Sequence, residues 1–202
     1  GTSPYAEGFR KCLKITNGNQ TSGAGSSDEM NVIYNIEAQD LNSSGWDFSS
    51  TSSFATFSFW VKSSVAQTFY GYIRSYDNTA TSYAFETGSL SANTWTKVTK
   101  TFPGNSGLDI DNDTGTGLQI RIFAYAGTGF TDNSTSTNAW ATYTGSARTP
   151  DNVSTWYTTN DATLEFTGFQ FEVGSQATAF EHRSYGEELA LCQRYYEMIA
   201  FS

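Results

Sequence analysis

Hydrophobic and polar positions alternate along much of this chain, in short runs broken by turn residues. Residues 57–62 show the pattern: Phe57, Phe59 and Val61 are apolar, with Ser58, Trp60 and Lys62 between them. Residues 117–125 repeat it, with Leu118, Ile120, Ile122 and Ala124 on one parity. Period-two alternation over four to eight residues predicts half-buried β-strands. Eight such runs are legible: 11–16, 30–38, 54–63, 67–76, 82–86, 94–102, 117–125 and 163–174. In the last, Leu164 and Phe166 sit on even positions while Phe169, Phe171 and Val173 sit on odd ones. The parity flips at Thr167-Gly168, which predicts a β-bulge that keeps both halves facing the core.

Eight strands at this spacing predict an all-β fold: a two-sheet antiparallel β-sandwich of jelly-roll type. Two segments depart from the pattern. Residues 126–162 are rich in Gly, Thr, Asn and Ser and carry Trp140, Tyr143, Trp156 and Tyr157. They read as a long loop, whose aromatics either anchor a ligand or pin the loop to the sandwich. Residues 184–201 read as one C-terminal helix. Ser184 and Glu187 form a capping box, and Leu189, Cys192, Tyr196 and Ile199 share a face. That seam docks on the sandwich or packs around an oligomer axis. The expected organisation is one sandwich over 1–183 and a helix over 184–202.

Composition narrows the function. The 202 residues include 11 Lys plus Arg against 20 Asp plus Glu, a formal net charge of −9. The basic stripe that nucleic acid requires is missing. No apolar run is long enough to span a membrane as a helix. The two cysteines, Cys12 and Cys192, fit no zinc spacing. They are free thiols or a bond between an early strand and the C-terminal segment. The lone His182 and the absence of nucleophile or metalloprotease motifs argue against catalysis. A glycosidase needs two placed carboxylates, and only Glu165 and Glu172 share a strand.

Candidate binding chemistry follows from the strand parity. If the apolar positions face the core, Trp60, Lys62, Tyr70, Tyr72, Arg74, Gln119, Arg121, Phe123 and Tyr125 point outward. Aromatic faces stack on sugar rings, and Lys, Arg and Gln bond the hydroxyls, so this row is a candidate carbohydrate site. The competing reading is that loop 126–162 or a neighbouring subunit covers it. Asp109, Asp111 and Asp113 alternate like the ligands of a calcium loop. Thr114 stands where an EF-hand needs Gly, so a solvated acidic turn is the alternative. No other cofactor is indicated.

The segment FEVGSQATAFEHRSYGEELALCQRYYE, residues 171–197, resembles a tail signature of marine bacteriophage structural proteins. EGFRKCLKI at 7–15, FSFWVKSS at 57–64 and SANTWTKVTKTFPG at 91–104 extend the resemblance in order, as does the stretch from Asp113 to Leu118. It implies a jelly roll similar to carbohydrate-binding modules, carried on a virion appendage such as a tail fibre, often as a homotrimer. The implied partner is a host-surface glycan. The implied alternative is a purely structural virion protein, a capsid decoration or fibre spacer.

Overall fold

A computed structural model describes residues 3–19 and 23–194. The elements run β1 (Leu13–Thr16), β2 (Glu29–Glu37), α1 (Ala38–Ser43), β3 (Phe54–Ser63), β4 (Thr68–Ser75), β5 (Thr81–Ser89) and β6 (Thr96–Pro103). Then come β7 (Thr116–Ala126), β8 (Trp140–Thr142), α2 (Thr155–Thr158), β9 (Thr163–Val173) and α3 (Tyr185–Gln193). One sheet has the order β1-β9-β3-β6, the other β2-β7-β4-β5-β8.

Within these sheets the pairs nest. β1 pairs with β9, β2 with β7, β3 with β6 and β4 with β5, all antiparallel. A long ribbon wound so that its outer pairs enclose its inner ones is a jelly roll. The fold is therefore the expected two-sheet antiparallel β-sandwich. All eight predicted strands are present. β8 is an addition at the edge beside β5.

The core forms where the predicted parity places it. Phe57, Phe59 and Val61 of β3 are at most 4% exposed. They face Leu118, Ile120 and Ile122 of β7 and Ile73 of β4 in the same buried cluster. The bulge is also present. Ser58 is opposite Gln170 and Trp60 opposite Thr167, so Gly168 and Phe169 together face Phe59. Past the bulge the core is only half closed. Phe169 and Val173 are exposed, because that half of β9 lies beyond the short β1. A groove of about 770 Å³ opens there between β2 and β9, lined by Val32, Tyr34, Ile120, Phe169, Phe171 and Phe180.

Loop 126–162 is pinned. Trp156 is fully buried, and its backbone N–H donates to Gln67 Oε1 at 2.8 Å. Asn17 Nδ2 donates to the carbonyls of Trp156, Tyr157 and Thr159 at 2.7–3.0 Å. Trp140 packs on Tyr83 and donates from Nε1 to the Pro103 carbonyl at 2.8 Å.

Two terminal segments close over the four-stranded sheet. Phe9 stacks edge-on against Phe180 at 4.7 Å, and His182 Nε2 donates to the Glu7 carbonyl at 2.7 Å. His182 therefore ties the segment after β9 to the N-terminal one. α3 has the expected capping box, with the Ser184 hydroxyl accepting from the Glu187 N–H. It buries none of its described residues. Leu189 and Cys192, the part of the seam inside α3, are both exposed. Tyr196 and Ile199 lie outside the described residues. The tie that is present is ionic, from Arg194 to Glu37 at 2.8 Å. Both cysteines are free and exposed.

Candidate functional site

A jelly roll sends successive strands to alternate sheets, and this divides the predicted row. Trp60 and Lys62 lie on β3, in the four-stranded sheet. Tyr70, Tyr72 and Arg74 lie on β4, and Gln119, Arg121, Phe123 and Tyr125 on β7, in the five-stranded sheet. The two groups occupy opposite outer faces. Trp60 is 4% exposed, and its Nε1 donates to Glu7 Oε2 at 2.9 Å. Lys97 joins the same carboxylate at 3.3 Å. Burial raises the Glu7 carboxyl, but the hydrogen bonds from Trp60 and Lys97 outweigh it and leave it below its ordinary value. Lys62 pairs with Glu165 at 2.9 Å. Both are corrections to the single row: here the N-terminal segment takes up the indole and Glu165 the ammonium.

The five-stranded face is ordered by register. Asn35, Gln119, Arg74 and Ser82 stand in one row across β2, β7, β4 and β5. Ile33, Arg121, Tyr72 and Ala84 form the next, then Asn31 with Phe123 on one side and Tyr70 with Glu86 on the other. Loop 126–162 covers the middle. Tyr143 packs on Tyr72, which is fully buried, as is Phe123. Tyr157 stacks on Tyr125 with ring centroids 4.7 Å apart and donates its hydroxyl to Asp28. Tyr125 and Gln119 are buried as well. Gln119 accepts from the Tyr72 hydroxyl at 3.3 Å and donates to Asn35 at 3.0 Å. Burial drives the Tyr72 phenol well above its usual value, with Arg121 pulling the other way. Tyr72, Gln119 and Tyr125 therefore brace the face and are closed to a ligand by the loop.

Tyr70, Arg74 and Arg121 keep partial exposure, flanked by the exposed Asn35 and Tyr76. Arg121 Nη1 donates to Glu29 Oε1 at 2.9 Å, and Arg148 from the loop takes the other oxygen of the same carboxylate. The Arg74 guanidinium carbon lies 3.7 Å from the Tyr143 ring centroid and 4.3 Å from that of Tyr76. Cation–π contact holds its plane. Arg74 Nε and Arg121 Nε are both buried and without an acceptor among the described residues, so the Nη groups are what Arg74 can offer at the surface. The arrangement is a forked donor on an aromatic bed, suited to bonding sugar hydroxyls beside an aromatic surface.

The other candidates do not assemble. Asp109 accepts from Asn78, Asp113 caps its own turn through Gly115 N–H, and the Asp111 N–H donates to Asp77. Among the described residues no three His, Cys, Asp or Glu gather where a metal could be held. Glu165 and Glu172 do share the outer face of β9. At about 3.3 Å rise per residue they are about 20 Å apart, against the roughly 5–9.5 Å that a glycosidase pair requires. Glu172 instead accepts from Gln170 and Thr178. Among the described residues no helix is long and apolar enough to cross a membrane.

Sequence reading missed Tyr76, Asn35, Glu29 and Arg148. Tyr76 was within reach, since it continues the parity of Tyr70, Tyr72 and Arg74 by one step. Asn35 shares the parity of Asn31 and Ile33 in the same way. Arg148 sits in the loop and has no local signal.

No family model matches this chain, and no curated protein matches it. It is similar to a solved structure described as "CBM4 structure and function", at 13% identity and a TM-score of 0.38. The match covers 73% of this chain and 64% of the other, so it spans less than two thirds of that structure.

Proposed function

We propose that this jelly roll is a non-catalytic glycan-binding domain. Its ligand lies on the open end of the five-stranded face, across Arg74, Tyr76 and Tyr143. The observation that carries this reading is Arg74: a partly exposed guanidinium set against two tyrosine rings, with no carboxylate partner among the described residues. The setting proposed for it, a phage virion appendage that meets host-surface glycans as a homotrimer, rests on the sequence resemblance alone.

A purely structural virion domain is the second reading. It is favoured by the sealing of Tyr72 and Phe123 beneath loop 126–162. A glycan array separates the two. The glycan-binding reading expects retention by at least one glycan class, weakened tenfold or more in Arg74→Ala and Tyr76→Ala variants whose melting temperatures are near the parent's. An unaltered protein retained by no glycan decides for the structural reading.

A further inference from the structure

The charges of this chain are sorted by sheet. Lys14, Lys62, Lys97 and Lys100 lie in β1, β3 and β6 of the four-stranded sheet, with Lys11 just before β1. The five-stranded sheet holds no lysine. Its cations are Arg74 and Arg121, joined from the loop by Arg148. Arg121 and Arg148 share one carboxylate, Glu29. Arg74 has no carboxylate partner among the described residues. Its cross-strand neighbours are Ser82 and Gln119, and its neighbours along the strand are Tyr72 and Tyr76. The nearest charge in the sheet is a second cation, Arg121, diagonally placed at about 7–8 Å.

In a chain of net charge −9, a partly exposed guanidinium with no carboxylate partner among the described residues is suited to receive an anion. A planar guanidinium matches two oxygens of one anion in a way that an ammonium, or a single sugar hydroxyl, does not. At physiological salt the Debye length is about 8 Å, so the overall negative charge is screened and an approaching ligand meets the local arginine field. We infer that the ligand is an acidic glycan, whose carboxylate or sulfate group is held by Arg74 with Arg121 beside it. This rests on the glycan-binding reading and specifies its substrate class.

The test compares matched polymers that differ only in the anion. Polygalacturonate is set against its fully methyl-esterified form, and a sulfated galactan against the same galactan desulfated, by calorimetry at 0.15 M salt. The unaltered protein is expected to bind at least one charged member tenfold or more tighter than its neutral match, and the preferred pair tells carboxylate from sulfate. Arg74→Gln is expected to abolish that preference, and Arg74→Lys to keep only part of it. Equal binding of charged and neutral members overturns the acidic assignment and leaves the glycan reading standing. A preference that survives in Arg74→Gln overturns the role of Arg74. Binding neither to these polymers nor to anything in a wider glycan array removes both. Should Arg74→Gln fail to fold, the esterified and desulfated polymers decide the question with the unaltered protein.

Discussion

Gly168 stands at φ +64°, and a methyl group there would meet the Phe9 ring at 2.7 Å. The left-handed backbone makes the bulge, and the missing side chain lets Phe9 lie across it. Gly168→Ala therefore carries two penalties, one conformational and one steric. It is expected to destabilise the domain by more than about 1 kcal/mol, read as a lower denaturant midpoint with an unchanged slope. An unchanged midpoint would mean that neither the bulge nor the Phe9 contact is held tightly. This residue was legible in the sequence, because the apolar parity changes on either side of it. Phe9 was not, since nothing local ties an aromatic before the first strand to a glycine late in the chain. The same limit applies to Tyr72. Its outward direction followed from parity, but its burial depends on Tyr143, which arrives from a loop.

Elements were legible in proportion to their length and alternation. The eight longer strands announced themselves. β8 has three residues and exists because it pairs with β5. α2 has four and is fixed by Asn17 and Gln67. Parity separates inside from outside but is silent on which sheet a strand joins, and so Trp60 and Tyr70 read as one row. The two terminal segments carry their own prediction. Glu7 anchors the first through Trp60 and Lys97. Glu172 anchors residues 175–183 through Thr178, whose backbone N–H donates to it at 2.9 Å. Burial raises the Glu172 carboxyl, yet the bonds from Gln170 and Thr178 bring it below the ordinary 4.5. Both carboxyls are thus depressed in the folded state. Their contribution is present above about pH 4.5 and is lost as pH falls through the lower folded values. Amide protection factors should fall in residues 3–12 and 175–183 as pH drops below about 4.5, while those of β3 and β7 stay high. Simultaneous loss of protection everywhere would contradict this.

At the scale of the molecule, the nested pairing decides how the domain answers to mechanical load. Leu13, where the chain enters β1, is opposite Phe166, and the chain leaves β9 beyond Val173 on that same side. Tension on the two ends therefore pulls at one end of the four-residue β1–β9 ladder and loads its hydrogen bonds one at a time. The sandwich should unzip from there before any longer strand is sheared. In an optical trap, with handles at either end, a small low-force step that releases β1 and the segment before it is expected ahead of the main rupture. A single rupture of the whole domain would show that the clasp of Glu7, Phe9 and His182 bears the load instead. If the step is found, the domain acts as a mechanical fuse: it yields a short length of chain under strain and leaves the arginine-bearing face intact.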